Sequence, residues 1–93
     1  MFILVVYDIP SDKRRTKLHN ALLDYGTPVQ YSVFECLLDK KQEAQMRRTV
    51  ERLVRPKKDH VRFYRLCAAC VEKITVIGKQ EVTGDPPPAI VVG

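Results

Sequence analysis

The chain opens with six apolar residues in a row, Phe2-Ile3-Leu4-Val5-Val6-Tyr7, followed at once by a carboxylate, Asp8, before Ile9-Pro10 closes the segment. A continuous apolar run rich in β-branched and aromatic side chains predicts a strand over 2–7, buried on both faces. Ser11 is a good helix N-cap, and Asp12 suits the positive end of a helix dipole. Leu18, Ala21, Leu22 and Tyr25 recur at helical spacing and Gly26 supplies a stop, which predicts a helix over 12–25. The stretch from Val29 to Leu38 alternates imperfectly and is long for one strand of a small sheet. It reads as one bent strand or as a tight hairpin broken near Tyr31-Ser32, and the break is preferred because the topology then closes better.

Asp39-Lys40-Lys41-Gln42 resembles a capping box with Asp in place of Ser or Thr. Met46, Val50, Leu53 and Val54 give a second helix its buried stripe, ending before Pro56. His60–Leu66 and Val71–Ile77 are predicted strands from their Val, Phe, Tyr, Ile and Thr content. The order is βαββαβ with an additional strand: an α+β chain on the ferredoxin-like, split-βαβ plan, with an antiparallel sheet. Two helices cover one sheet face. The other is left open, with Tyr31, Val33 and Phe63 expected on it, and a half-apolar open face predicts a symmetric dimer. Residues 1–80 form the expected domain and 81–93 a tail. Gly84-Asp85-Pro86-Pro87-Pro88 excludes regular structure, and the apolar segment 89–92 is expected as a short edge strand of its own sheet or a neighbour's.

Ninety-three residues suffice for one domain, small enough that dimerisation would add to its stability. The longest apolar run is too short to span a bilayer and no basic stretch precedes it, so no membrane partner is expected and a cytoplasmic location follows by default. Sixteen Lys and Arg against eleven Asp and Glu give +5, which favours a polyanionic partner, nucleic acid first. Lys13-Arg14-Arg15-x-Lys17 opens one helix, while Arg47-Arg48, Arg52, Arg55, Lys57 and Lys58 line and follow the other. Two basic clusters on neighbouring helices resemble a phosphate-contacting surface. Three cysteines agree with a reducing compartment rather than a disulfide framework. Cys67-Ala-Ala-Cys70 has zinc-like spacing without the second pair that a closed site requires, and His19 and His60 are isolated. The pair is therefore read as part of a turn between two strands.

Asp8 is the first candidate for chemistry. An ionised group at the mouth of a buried strand must be solvated, paired or bound to a cation. The rigid end of a strand is also where a fold places a metal or a general base. On this fragment alone, a turn aspartate leading into a helix is the preferred reading.

Taken together, Val6-Tyr7-Asp8-Ile9, Arg14-Arg15-x-Lys17, Gln30-Tyr31-Ser32-Val33-Phe34-Glu35 and Ile77-Gly78 resemble the CRISPR-associated protein 2 family over residues 1 to about 80. The resemblance implies a homodimer with strand exchange, the last strand crossing to the partner's sheet. It implies a role in spacer acquisition beside the CRISPR integrase, CRISPR-associated protein 1. It also implies a magnesium-dependent endonuclease acting on single-stranded RNA or double-stranded DNA, with Mn2+ as an alternative ion. The family's metal-binding aspartate maps onto Asp8, and two copies of Asp8 across a two-fold axis, with waters and a substrate phosphate, would make a reasonable magnesium site. Tyr7, Arg15 and Phe34 match further positions associated with activity. Arg15 would hold a phosphate as a planar fork, and Ser32 would hydrogen-bond a backbone oxygen or metal-bound water. Phe34 reads equally as core packing or base stacking, and Tyr7 as packing more than chemistry. Lys13, Arg14, Arg15, Lys17, Arg47 and Arg48 are the expected nucleic-acid contacts. The chain departs from the family pattern at Pro28, where some relatives carry an arginine, leaving one cation fewer near the cleft. The competing function is a non-catalytic dimeric scaffold that bridges integrase subunits and holds duplex DNA. An RNA-recognition module is ranked last, because His60-Val61-Arg62-Phe63-Tyr64-Arg65 lacks the glycine–aromatic spacing.

Overall fold

The apolar opening run becomes the central strand of the sheet. In the computed structural model, which describes residues 1–78 and 91–92, β1 (Phe2–Asp8) is paired on both sides. α1 (Asp12–Leu22), β2 (Gly26–Gln30), β3 (Val33–Leu37), α2 (Lys40–Leu53) and β4 (His60–Leu66) follow. The four strands form one antiparallel sheet in the order β2-β3-β1-β4, the interleaved split-βαβ arrangement of a ferredoxin-like fold. Because side chains alternate along a strand, Ile3, Val5 and Tyr7 enter the core under the helices while Leu4, Val6 and Asp8 face the other way. Phe34 and Cys36 of β3, Leu18 and Leu22 of α1, and Met46 and Val50 of α2 complete that core.

α1 is shorter than its periodicity predicted. It stops at Leu22 with Leu23 as C-cap, and Gly26 opens β2 instead of ending the helix. Close approach, rather than a left-handed backbone, requires the glycine there. A Cβ on Gly26 would lie 2.4 Å from Cys36 Sγ and 2.4 Å from the carbonyl oxygen of Glu35. The preferred break at Tyr31-Ser32 is a two-residue hairpin turn, with Gln30 opposite Val33 and Ser32 at φ 64°. β2 is an edge strand, so Pro28, exposed opposite Phe34, removes no donor that a further strand needs, and the ladder is irregular just beyond it.

The capping box of α2 forms as expected: Gln42 N–H donates to Asp39 Oδ1 at 2.7 Å and Asp39 N–H to Gln42 Oε1 at 3.0 Å. Three expectations are corrected. Phe63 packs against the core with Arg47 5.4 Å over its ring, so it lies on the helix-covered face. Tyr31 stands at the hairpin tip rather than on the open face, whereas Val33 does lie there opposite Val6. The predicted strand Val71–Ile77 is mostly not a strand. Cys67 caps a helical turn, α3 (Ala68–Val71), and only β5 (Val76–Ile77) is extended. β5 pairs in parallel with β6 (Val91–Val92) in a separate two-stranded sheet, and Gly78 beyond it takes φ +129°. The proline-rich punctuation, residues 89–90 and the domain boundary near residue 80 lie outside the described residues. Among the described residues no helix is long and apolar enough to cross a membrane.

An ion pair with a buried carboxylate ties α1 to the connection between α2 and β4. Arg14 in the first turn of α1 donates from Nε to Asp59 Oδ2 and from Nη2 to Asp59 Oδ1, each at 2.9 Å. The Asp59 side chain has no exposed area and also accepts the Arg55 N–H at 2.8 Å. Arg14 foremost, then the Arg55 amide against the opposing effect of burial, holds the Asp59 carboxyl below its ordinary 3.8. A depressed folded-state pKa gives stability that is present above the unfolded value and lost as pH falls through the folded one. We predict that Asp59→Asn lowers the thermal midpoint at pH 7 by roughly 10 °C. Scans below about pH 4 should show the wild type losing its advantage over the variant; a constant difference down to pH 2 (about two units lower) would contradict this.

Candidate nucleic-acid site

The tip of β1 presents its last two residues to opposite sides. Asp8 is exposed, opposite His60 in the β4 register, and belongs to the open sheet face. Tyr7 is 4% exposed and turns toward the helices. Its backbone N–H donates to Ser32 O at 3.1 Å, which extends the β1–β3 ladder into the hairpin turn and fixes that turn against the strand tip. Sequence adjacency brought these candidates to one end of the sheet; the pleat then separated the carboxylate from the rest.

On the helix side lies a half-open cleft of about 290 Å³, lined by Tyr7, Arg15, Thr16, His19, Gln30, Tyr31 and Ser32. Arg15 reaches it from α1, held by a 3.0 Å hydrogen bond to the Ile9 carbonyl and by an ion pair with Asp12. Its guanidinium stands 5.8 Å over the Tyr31 ring, a cation–π contact at an exposed tyrosine. Burial, the largest cause, pushes the Tyr7 phenol above its ordinary 10.0, with the Ser32 side chain acting the other way. Tyr7 is therefore a neutral hydrogen-bond donor at physiological pH. Phe34 is fully buried, 6.4 Å from the Tyr7 ring and edge-on to His19 at 5.1 Å. With no exposed face it stacks on no base: of the two readings left open for it, the structure selects packing.

Sequence reasoning missed His19, Thr16, Gln30 and Tyr31 as cleft residues. One signal was available, since His19 lies four residues after Arg15 and so shares its helix face. The positions of Gln30 and Tyr31 depended on the hairpin being real.

The basic residues divide by task. Lys13, Lys17, Arg47 and Arg48 are exposed. Arg14, expected as a phosphate contact, closes its fork on Asp59 and holds the fold together. Arg65, not singled out before, donates to buried Glu43 at 2.8 and 2.5 Å and pins β4 under α2. Among the described residues no group of three or more metal-ligating side chains assembles. Magnesium keeps several waters and takes one or two carboxylates plus substrate phosphate. Asp8 thus fits as one ligand of such an ion and does not enclose it.

The family model described as CRISPR associated protein Cas2 matches residues 1–74. The chain is 44% identical over 88 residues to CRISPR-associated endoribonuclease Cas2 1 of Chloroflexus aurantiacus, covering 94% of this chain and 90% of that protein. A crystal structure of a hypothetical protein from Thermus thermophilus superposes with TM-score 0.70 at 41% identity, covering 94% of this chain and 95% of that one. A chain of a partial Cas6-RT-Cas1–Cas2 complex superposes with TM-score 0.69 at 27% identity, covering 78% of this chain and 86% of that one. With the split-βαβ sheet, the aspartate at the tip of its central strand and these matches together, the chain belongs to the CRISPR-associated protein Cas2 family.

Proposed function

We propose that this chain acts as a homodimeric, magnesium-dependent phosphodiesterase in CRISPR adaptation, with Asp8 of each subunit contributing to one shared ion. The observation that carries the proposal is the direction of Asp8. It is exposed at the rigid tip of β1, on the sheet face that no helix covers. Leu4, Val6 and Val33 line that face, beside Leu37 and Tyr64, 45% and 44% exposed. Packing a second copy there removes the apolar surface from water and brings a second Asp8 toward the first. The ion would be held by the two Asp8 carboxylates and would supply an activated water and charge neutralisation at the scissile phosphate. Exposed Lys13 and Lys17 on α1, with Arg47 and Arg48 on α2, would carry the flanking phosphates. The name of the Chloroflexus relative favours RNA as one substrate.

A second reading has its own support. The cations lie on the helices while Asp8 lies on the opposite sheet face, which suits a dimer that holds a duplex on its outside without cutting it. The superposition on a chain of a Cas1–Cas2 assembly supports the integrase as partner in either case.

Two experiments separate these readings. Asp8→Ala should reduce magnesium-dependent cleavage of single-stranded RNA or duplex DNA by about 100-fold or more, with duplex affinity within about two-fold of wild type. Cleavage by the variant at the wild-type rate, or none by the wild type with any divalent ion, would leave the scaffold reading alone. Lys13→Ala with Lys17→Ala should flatten the slope of log affinity against log salt by about one unit per lost phosphate contact. An unchanged slope would remove α1 from the interface.

A further inference from the structure

Cys67 and Cys70 lie outside everything proposed above. Leu66, the residue before Cys67, pairs with Phe2, whereas His60 at the other end of β4 pairs with Asp8. The seven residues of β1 therefore separate the two cysteines from the Asp8 tip by about 20 Å. Cys67 is the N-cap of α3 and Cys70 lies one turn on, with the Val71 N–H donating to Cys67 O at 2.9 Å. On a helical turn positions three residues apart have their Cα atoms about 5 Å from each other, within the span a disulfide bridges. Both thiols are exposed, and the residues between them are alanines that shield neither. Cys36 provides the contrast: it is buried, and burial followed by the Glu35 charge pushes its thiol up to about 11.

The two exposed thiols are also unequal. The backbone of Cys70 and then its thiol hold Cys67 below its ordinary 9.0. The same pairing, led by the Cys67 side chain, raises Cys70. A thiolate exposed beside a resolving thiol is the arrangement that exchanges with disulfides.

We propose that Cys67 and Cys70 are a reversible dithiol–disulfide site, in which Cys67 attacks and Cys70 resolves. The oxidant is a small-molecule disulfide of the glutathione class. Cys67 Sγ attacks one sulfur of that disulfide, a mixed disulfide forms, and one small thiolate leaves and takes a proton from water. Cys70 then loses its proton to water and attacks Cys67 Sγ, expelling the second small thiolate. The protein gives up two electrons, the small disulfide gains two, and the internal bond closes one helical turn. That turn joins β4 of the four-stranded sheet to β5, so closure fixes where the chain leaves β4.

The test treats the full chain with oxidised glutathione, alkylates the remaining thiols and maps them by peptide mass. The expected result is loss of two of the three free thiols, restored by a dithiol reductant. Both losses should fall within the peptide Leu66–Lys73, lighter by two hydrogens. Cys70→Ser should trap glutathione stably on Cys67, while Cys67→Ser should react at Cys70 at least about ten-fold more slowly. A persistent mixed disulfide in the wild type, chains cross-linked through these cysteines, or equal rates in the two variants would each overturn the proposal.

Discussion

β1 is held by antiparallel ladders to β3 and β4 at once, with Phe2 to Val6 opposite Leu37 to Val33 and Phe2 to Asp8 opposite Leu66 to His60. A strand buried on one face and paired on both edges has no freedom of register, because a slip by one residue would exchange its core and surface faces. Ile3, Val5 and Tyr7 would leave the core, and Asp8 would enter it uncompensated. The Tyr7 N–H also donates to the Ser32 carbonyl, so the hairpin turn that forms one wall of the cleft is positioned by the same strand. The cleft and the carboxylate are both consequences of this single register.

That register also accounts for the division of the site. Adjacent residues on a pleat face opposite ways, so a family motif written as Tyr-Asp places a protonated phenol among the helices and an exposed carboxylate on the open sheet. One subunit therefore brings Tyr7, Arg15 and Ser32 together in a cleft and leaves Asp8 outside it. The proposed ion site would be completed only by something that covers the open face, and the half-buried Leu4, Val6 and Val33 there would give a second copy a reason to do so.

Most of the fold was legible because β1 and α2 carry strong, consistent patterns: an unbroken apolar run in one, a capping box with an apolar stripe in the other. The errors arose where local preference met tertiary packing. Gly26 looks like a helix stop, yet its task is to let β2 approach Cys36 and Glu35. Val71-Glu72-Lys73-Ile74-Thr75 has strand-forming residues, yet the chain turns at Cys67–Val71 and only Val76–Ile77 is extended. Arg14 and Arg15 are adjacent and alike in sequence. The first is drawn to Asp59, 45 residues away, and only the second reaches the cleft, a distinction that no local pattern carries.

The proposed sharing of one ion by two strand tips is tested most directly by the stoichiometry of manganese binding. Titration of the magnesium-free protein, followed by the electron paramagnetic resonance signal of free Mn2+, should show one tight ion for every two chains and none for Asp8→Ala. One ion per chain, or tight binding that survives the loss of Asp8, would contradict it.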